Sequence, residues 1–371
     1  MIIRRLSLHD FRIHQSTEME FSPKLNFIVG GNGQGKTSLI EAIYFLCTTK
    51  NYKGAPDADL LRFGQSGYSI HGVFEDVTEN QVHIRYLPDE NKRIYIKDGK
   101  TVHRAADIIG AFPVVLLTPE DHALTQGAPA DRRRFIDSVI SQYSPVYLEN
   151  ILEYAKILKQ RTYILNRIKE NSGRGLGAEL DAFTEKMILT GSSIIQQRND
   201  FIKEFKDFVA EVYQEIMGEE EMPFMKYQFL GGAEADADIT LFFRKRAYER
   251  REEEIRRGMN LTGPHRDDID FAINGKSLKS FGSQGQHKTF QVALRFAQFF
   301  YLKARSGKTP VFLLDDVFGE LDAYRAGHIS RYLTQVGQAV ITMTDLSNYA
   351  YLRDMNESRM FTVSAGMVNP A

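Results

Sequence analysis

Hydrophobic and polar residues alternate along much of the first third of the chain, a pattern typical of β-strands that bury one face. One alternating run meets Asp98-Gly99, a dipeptide that favours the tight turn of a β-hairpin. We therefore predict a β-rich beginning. Its expected strands are residues 2–11, 18–21, 25–29, 69–74, 81–86, 93–97 and 101–102.

Farther along, apolar residues recur every three or four positions, which is the spacing of amphipathic helices. The expected helices are residues 38–46, 129–143, 148–168, 178–218, 241–257 and 286–305. The fourth is long for one helix, so a break near Gly191 is the alternative. Asn274-Gly275 predicts a second hairpin turn. Short apolar runs predict buried strands at residues 114–117, 224–230, 269–273, 311–315 and 338–343, the last being the final strand.

These elements suggest two parts, and a chain of 371 residues is longer than one typical domain. Strand-rich segments at both ends flank a helical middle. We expect an α/β head formed by residues 1–118 and 258–371. A mainly helical lobe, residues 119–257, would be inserted between its halves.

A glycine-rich loop follows the strand predicted at residues 25–29 and precedes the helix at 38–46. It matches the phosphate-binding pattern G-x-x-x-x-G-K-[ST], and strand, loop and helix are the context that this pattern requires. Backbone N–H groups would surround the β-phosphate of ATP, Lys36 would bridge the β- and γ-phosphates, and the Thr37 hydroxyl would bind Mg²⁺. The residues expected to bind ATP are Gly30, Gly31, Asn32, Gly33, Gln34, Gly35, Lys36, Thr37 and Ser38.

Paired carboxylates, Asp315 and Asp316, end the apolar strand that begins at residue 311, and Asp315 lies 279 positions after Lys36. A buried carboxylate is costly without a partner, and Mg²⁺, held through water, would supply one for Asp315. Asp316 would then stand where a water-activating carboxylate is needed, so we expect it to be catalytic together with Lys36.

A short polar signature lies 32 positions before Asp315. A small hydroxyl and a glycine at the start of a helix can grip a second phosphate group. Alone, such a tripeptide is usually a helix cap, so its position before the acidic strand carries the prediction. The signature is Ser283, Gln284, Gly285 and Gln286.

Composition restricts the remaining possibilities. Hydrophobic residues make up 43% and charged residues 26%, and no apolar run approaches the roughly 20 residues of a membrane span. The single cysteine, Cys47, excludes internal disulfides, and its apolar helix face predicts a buried thiol. With no leader-like start, we expect a cytoplasmic protein with no membrane partner. The net charge is −1, so nucleic-acid binding would need a local basic patch.

Taken together, the phosphate loop, the signature, the acidic strand and residues 318–322 resemble the ABC-type ATPase heads of SMC and Rad50 proteins. Three further motifs make the chain most similar to the RecF family of bacterial recombination mediators, over essentially its whole length. They are Leu8-His9-Asp10-Phe11-Arg12, then Pro119-Glu120-Asp121 with Gly127 and Arg132-Arg133-Arg134-Phe135-Ile136-Asp137, and finally Gly263-Pro264-His265-Arg266-Asp267-Asp268.

This resemblance implies an α/β fold: an ABC-type P-loop head, with a mixed sheet and an antiparallel β subdomain, a helical second lobe and no long coiled coil. It implies an ATP-dependent homodimer in which Ser283 of one copy faces the nucleotide bound by Lys36 of the other. Arg12 would join the ATP site, and Glu320 and Asp322 would form the D-loop.

The resemblance also implies a role in recombinational repair, DNA replication and the SOS response. Such a protein would bind gapped single- or double-stranded DNA near the nucleoid and hydrolyse ATP slowly. With RecO and RecR it would help RecA to displace single-strand-binding protein. The DNA-binding surface is not predicted, and Arg132–Arg134 and His265 keep structural roles as alternatives.

Three positions depart from the wider ABC pattern. Asp316 replaces the usual glutamate, Gly319 stands where a serine often begins the D-loop, and Thr344-Asp345 occupies the region of a transporter's switch histidine. An aspartate is one methylene shorter than a glutamate and is expected to polarise water less well. The aspartate at 316 and the replaced switch histidine favour a slow switch over a pump.

Other classes of ATPase are the alternatives. A transporter subunit would need the switch histidine, and an SMC- or Rad50-like structural protein would need far longer heptad-bearing helices. An overcoming-lysogenization nuclease would need a further acidic domain, for which the 26 residues after Asp345 are too few. The basic helix at residues 241–257 is expected to be a salt-bridged, solvated face.

Overall fold

The computed structural model describes residues 1–170, 175–217, 221–232, 238–320, 323–344 and 357–371, without the side chains of 320 and 323–325. The chain divides into two compact units. The first comprises Met1–Asp121, Glu215–Met217 and Val292–Ala371, and the second comprises His122–Gln214 and Gly218–Gln291. Residues 258–291 therefore group with the second unit, whereas the predicted boundary had assigned them to the head.

An antiparallel sheet forms one part of the first unit. At its hairpin, Asp98 and Gly99 have φ of 48° and 76°, the left-handed conformations that this type of turn requires. In sheet order, with strands numbered along the chain, it contains β2 (His14–Glu20), β1 (Ile2–Phe11), β4 (Tyr68–Glu75), β5 (Glu79–Leu87), β6 (Lys92–Lys97) and β7 (Lys100–Val102).

A mixed sheet forms the other part, and every pair of neighbouring strands in it is parallel except the pair formed by the last two strands in chain order. In sheet order it contains β15 (Met367–Pro370), β14 (Ser358–Ser364), β3 (Leu25–Val29), β13 (Gln338–Met343), β12 (Val311–Asp315) and β8 (Val114–Leu117). The expectation that residues 338–343 form the final strand is wrong. Phe361 and Val363 alternate as buried positions of a further strand, and a hairpin follows it.

One hydrophobic core joins both sheets of the first unit to the helix that follows the phosphate loop. That helix is α1 (Lys36–Thr48), whose Leu39, Ile43 and Leu46 are fully buried. The predicted apolar face is confirmed, and Cys47 lies in the same core. Helix α10 (Ala323–Leu333), which we did not predict, also belongs to this unit.

The second unit consists of helices and one small antiparallel sheet with the order β11-β10-β9, built from β9 (Pro223–Gln228), β10 (Asp268–Ile273) and β11 (Lys276–Ser277). Two helices cross the division between the units, since α5 ends in the first unit and α9 begins in the second. The helices are α2 (His122–Gln126), α3 (Pro129–Ser141), α4 (Pro145–Lys169), α5 (Gly177–Met217), α6 (Ile239–Glu249), α7 (Arg251–Arg257), α8 (Leu278–Phe281) and α9 (Gln284–Ser306).

Helix α5 is continuous, so the alternative of a break near Gly191 is wrong. The glycine serves close packing instead. A Cβ at this position would lie 2.6 Å from the Phe243 ring and 3.0 Å from the Tyr154 ring. The predicted helix over residues 241–257 is in fact two helices, α6 and α7, which meet at Arg250. No helix among the residues described here is long and apolar enough to cross a membrane.

Candidate nucleotide site

The glycine-rich loop lies between β3 and α1, at the carboxyl end of a central strand of the mixed sheet. Ligands bind at this edge in open α/β sheets. The Gly30 N–H donates to Met343 O on the neighbouring strand β13, at 3.2 Å. A Cβ on Gly30 would lie only 2.4 Å from Val363 O, so the close approach of β14 requires glycine here. Two neighbouring strands therefore fix the entry to the loop.

Lys36 is the first residue of α1, and its side chain turns back over the loop. Its Nζ donates to Gly30 O at 2.7 Å and to Gly31 O at 3.0 Å. Although the residue is only 6% exposed, its ammonium is held by carbonyl oxygens, and no carboxylate pairs with it among the described residues. The charge therefore stays within the loop, where a phosphate group would lie.

Asp315 and Thr37 lie 278 positions apart in sequence, yet the Thr37 Oγ1 donates to Asp315 Oδ1 at 3.0 Å. Strand β12 brings them together, because it pairs in parallel with β13 and ends at the same edge as β3. Thr342, opposite Asp315 in the register, donates to the same oxygen at 2.7 Å. Tyr52 donates to the other oxygen at 3.2 Å.

The carboxylate of Asp315 is 4% exposed, and only hydroxyl groups donate to its side chain in the described part of the chain. No arginine, lysine or histidine of that part lies within ion-pair distance. Burial, followed by the charge of Asp315, raises the pKa of Tyr52, so this tyrosine remains a donor at neutral pH. The carboxylate of Asp315 therefore receives hydrogen bonds but has no positively charged partner in the described part of the chain.

These oxygens fit a magnesium ion. Mg²⁺ prefers hard oxygen ligands and commonly binds through one or two carboxylates together with phosphate oxygens. Thr37 and Asp315 supply one hydroxyl and one carboxylate within hydrogen-bond distance of each other. The uncompensated charge of Asp315 is the further feature that a cation would satisfy.

Asp316 has a left-handed backbone, with φ of 51°, and its N–H donates to Thr342 Oγ1 at 2.9 Å. An aspartate tolerates this conformation better than most residues, and such positions cluster at functional sites. Thr342 thus contacts both acids, because its hydroxyl accepts from one residue and donates to the other. The role of Asp316 in activating water stays a prediction.

A hairpin that sequence reasoning missed braces the phosphate loop. The turn between β14 and β15 places the Ala365 N–H 2.6 Å from Gln34 Oε1 and the Gly366 N–H 3.1 Å from Gln34 O. His14 lies between the same turn and the loop, with its ring nitrogens 2.9 Å from Gly366 O and 3.1 Å from Gly35 O. Burial lowers the pKa of His14, although these two carbonyl contacts act in the opposite direction.

Arg12, a candidate ATP contact, has two partners in the first unit. Its guanidinium pairs with both oxygens of Glu41 on α1, at 2.9 and 2.8 Å, and donates to Asp59 O at 3.0 Å. The hydrogen bonds to Glu41 raise the pKa of Arg12. The opening motif is thereby tied to the helix of the phosphate loop, and direct contact of Arg12 with ATP stays a prediction.

The signature forms the start of α9, in the second unit. The Ser283 hydroxyl accepts from the Gln286 N–H at 3.1 Å, while Gln286 Oε1 accepts from the Ser283 N–H at 2.9 Å. This reciprocal pair is a capping box. Ser283 and Gln284 are exposed, and Gly285 is half-buried. The side chain of Glu320 and all of Asp322 lie outside the described residues, as does Asp345.

The arginine-rich motif makes structural contacts. Arg132 is 5% exposed and pairs with both oxygens of Asp268, at 2.7 and 2.9 Å. Arg133 donates to Asp267 O, while Arg134 is exposed beside Asp131. Two of the three arginines therefore join α3 to the motif formed by residues 263–268.

Sequence reasoning missed Tyr52, Thr342 and His14 as parts of the site. Each acts through a partner far away in sequence, so no local spacing indicated them. Thr342 carried one usable signal, since it is a hydroxyl residue that follows three apolar residues in the strand that pairs with the acidic strand.

The fold and the site together define a P-loop ATPase of the ABC type. A solved SMC head bound to a winged-helix domain has the same fold, with a TM-score of 0.59 at 14% identity, covering 100% of this chain and 97% of that one. The predicted fold class is confirmed. The family model named "RecF/RecN/SMC N terminal domain" matches residues 2–367.

Within that class, the chain belongs to the RecF family. It is 37% identical over 362 residues to the DNA replication and repair protein RecF of Chloroherpeton thalassium, covering 95% of this chain and 97% of that protein. It is similar to a solved structure of the recombination mediator RecF with ATP, with a TM-score of 0.90 and 28% identity over 100% of this chain and 97% of that one. The predicted resemblance is confirmed.

Proposed function

We propose that this protein is an ATP-dependent DNA-binding protein of recombinational repair in the cytoplasm. The observation that carries the proposal is the contact between Thr37 and Asp315, which joins two motifs from opposite ends of the sequence into one phosphate and cation site. The RecF relatives, one of them solved with ATP, support the same function.

At this site, Lys36 exchanges its loop carbonyls for the β- and γ-phosphates of ATP. Thr37 and Asp315 hold Mg²⁺, which when bound neutralises part of the phosphate charge. Asp316 orients and deprotonates the attacking water, and its short side chain keeps hydrolysis slow. Slow hydrolysis then limits the lifetime of the ATP-bound state and does not drive movement.

ATP also joins two copies. The exposed Ser283 and Gln284, at the start of a helix whose dipole favours anions, bind the γ-phosphate held by the loop of the other copy. The dimer binds gapped DNA and, with RecO and RecR, helps RecA to replace single-strand-binding protein. Hydrolysis releases the dimer from DNA.

Sedimentation of two variants tests this switch. Lys36→Ala is expected to lose ATP binding by about 100-fold, because two charge-assisted phosphate contacts disappear. Asp316→Asn is expected to bind ATP normally and to accumulate as a dimer. An Asp316→Asn protein that stays monomeric at saturating ATP would contradict the shared site.

Gel shifts on single-stranded, duplex and gapped DNA, with and without ATP, test the DNA step. We expect ATP to increase the affinity for DNA and added salt to reduce it steeply, since phosphate contacts dominate such binding. Lys36→Ala should show the ATP-free affinity under all conditions. Equal affinity of the wild type with and without ATP would overturn the coupling.

A further inference from the structure

A cavity of about 340 Å³ lies within the second unit, away from every residue of the phosphate loop and acidic strand in sequence. Its walls come from the turn after β9, the end of α6 and the loop that leads into the 263–268 motif. It is lined by Leu230, Gly231, Arg246, Arg250, Leu261, Thr262, Gly263 and Arg266. We call it the arginine cavity.

The three arginines of this cavity lack close carboxylate partners in the described part of the chain. Arg250 is exposed, and its guanidinium makes no hydrogen bond or ion pair there. Arg266 donates only to Asn260 O, at 2.8 and 3.2 Å, and approaches Met259 Sδ. Arg246 approaches Glu249 at 3.8 Å, which is a loose contact. The cavity therefore carries an excess of positive charge.

A second cavity, in the first unit, shows that this excess is not usual for the molecule. It also contains three arginines, Arg4, Arg5 and Arg359. There each arginine has a glutamate partner: Arg4 pairs with Glu75, and Arg5 and Arg359 approach Glu20 at 3.4 and 3.8 Å. Arginines that serve only solubility or packing would be expected to have glutamate or aspartate partners, as these three do.

Thr262 is an uncharged polar residue of the same wall. It lines the arginine cavity and is only 5% exposed, and its hydroxyl has no hydrogen-bond partner in the described part of the chain. Buried hydroxyl groups nearly always have partners, because an unpaired one costs about 1–3 kcal/mol. The hydroxyl oxygen is itself buried, so the arginines, and not this hydroxyl, are the groups that a ligand in the cavity would contact.

The part of the cavity wall formed by Leu230 and Gly231 is fixed by a hydrogen bond to a buried carboxylate. The buried Asp267 accepts from the Leu230 N–H at 3.0 Å, which fixes Leu230 at a φ of 49° just before Gly231. Asp267 in turn lies beside the Tyr227 hydroxyl and 3.8 Å from Arg198. The carboxylates nearest in sequence to Arg266 are thus engaged behind the wall, Asp267 with Leu230 and Asp268 with Arg132.

We propose that the arginine cavity binds a backbone phosphate of DNA. The inference rests on the proposed function, since it names a contact point for DNA that the nucleotide site does not provide. Planar guanidinium groups are usual donors to phosphate oxygens. Because the whole chain carries a net charge of −1, DNA must be held by a local patch of this kind.

Fluorescence anisotropy of labelled single-stranded and duplex DNA, with ATP present, tests the proposal on the full chain. Arg250→Ala removes an exposed side chain with no structural partner and should weaken binding about tenfold. It should also lower the slope of log affinity against log salt by about 1, which is the loss of one phosphate contact. Thr262→Val should leave both the affinity and the salt slope unchanged, because the hydroxyl that it removes is buried and does not face the ligand.

Lys245→Ala is the matched control. It removes the same charge from α6, the helix that ends just before Arg250, at an exposed position outside the cavity. Its affinity and salt slope should equal those of the wild type, and ATP hydrolysis without DNA should be unchanged in all three variants. If Arg250→Ala and Lys245→Ala behave alike, the proposal is overturned.

A free phosphate ion is the competing ligand for the arginine cavity. If inorganic phosphate raises the melting temperature of the wild type but not of Arg250→Ala, while DNA binding is equal in both, the cavity binds free phosphate and the assignment to DNA is overturned. If the wild type itself fails to bind DNA with ATP, the proposed function fails first.

Discussion

Two buried carboxylates, one in each unit of this protein, are held in opposite ways. In the first unit, Asp315 receives hydrogen bonds from three neutral hydroxyl groups. In the second, Glu254 is fully buried against the fully buried Arg161, with Oε2 2.6 Å from Nη2. Asn260 and Thr184 complete the set of partners of that arginine.

This difference distinguishes Glu254, whose charge stabilises the fold, from Asp315, whose charge is available to a ligand. A buried carboxylate paired with an arginine is already neutralised, and its removal leaves an unpaired charge in the interior. A carboxylate that accepts hydrogen bonds only from hydroxyl groups has no positively charged partner, so its negative charge can be balanced by a bound cation. Burial alone would not have distinguished Asp315 from Glu254, whereas the type of donor does.

The largest expected effect comes from breaking the neutralised pair. Arg161→Met leaves Glu254 buried without its cation, so the free energy of unfolding should fall by about 3–5 kcal/mol in urea denaturation. The exposed pair of Arg257 and Glu253, one helical turn apart, is the control. Arg257→Met should cost less than about 0.5 kcal/mol, and equal losses in both variants would contradict the assigned roles.

Asp315→Asn should change the stability little and should strongly reduce ATP hydrolysis. An amide of the same shape still accepts from Thr37 and Thr342, so stability should change by less than about 1 kcal/mol. Hydrolysis of ATP should fall by about 100-fold or more and lose its dependence on Mg²⁺. Single-turnover hydrolysis across a magnesium series, with urea denaturation in parallel, measures both. A stability loss as large as that of Arg161→Met would contradict the difference in role between Asp315 and Glu254.

Acid should destabilise the second unit through His265. Burial, followed by the nearby Arg266, Arg133 and Arg161, lowers the pKa of His265 from its usual 6.5 to about 4. The neutral ring fits its contacts with the Tyr154 hydroxyl at 3.0 Å and Asn260 O at 3.3 Å. The folded state therefore gains stability that is fully present above pH 6.5. It loses about 3 kcal/mol of that stability as the pH falls towards 4.

The measurement is the difference in unfolding free energy between His265→Gln and the wild type at several pH values. The variant should lack the loss between pH 6.5 and 4. Asp267 acts in the opposite direction, because burial raises its pKa from 3.8 to about 6 and its contribution is lost as the pH rises through 6. It is common to both proteins and cancels in the difference. Parallel pH profiles would rule out the role of His265.

The smallest expected effect concerns one hydroxyl. Tyr52→Phe removes one of the three donors to Asp315, so the magnesium concentration for half-maximal hydrolysis should rise about threefold. Tyr44, whose ring packs against that of Tyr52 at 5.8 Å, offers a matched control, Tyr44→Phe. If both variants shift the magnesium dependence equally, the effect comes from ring packing and not from the hydroxyl.

Local pattern was sufficient for the parts of the site that are contiguous in sequence. The strand before the loop, Leu25–Val29, and the acidic strand, Val311–Asp315, have the predicted bounds. The predicted turns at residues 98–99 and 274–275 have the required left-handed backbone. In these segments the chemistry and the conformation depend on neighbouring residues, which the sequence displays.

Contacts between distant residues could not be predicted in this way. His14 and Gly366 are 352 positions apart, and Tyr52 and Asp315 are 263 apart. Their proximity follows from strand order and from β14, which we did not predict. For the same reason, a structural role for the arginines at residues 132–133 stayed one alternative until their partners in the 263–268 motif were known.

The position of β3 between β13 and β14 has a consequence for protein synthesis. The loop that follows β3 is translated early, but both strands that flank β3 are translated more than 300 residues later. At about 5–20 residues per second, the ribosome needs tens of seconds to deliver them. During that interval β1, β2 and β4 can already pair, while the phosphate loop lacks its supporting strands. A nascent chain should therefore acquire the ability to bind ATP abruptly, once the hairpin that contains Gly366 has left the ribosome.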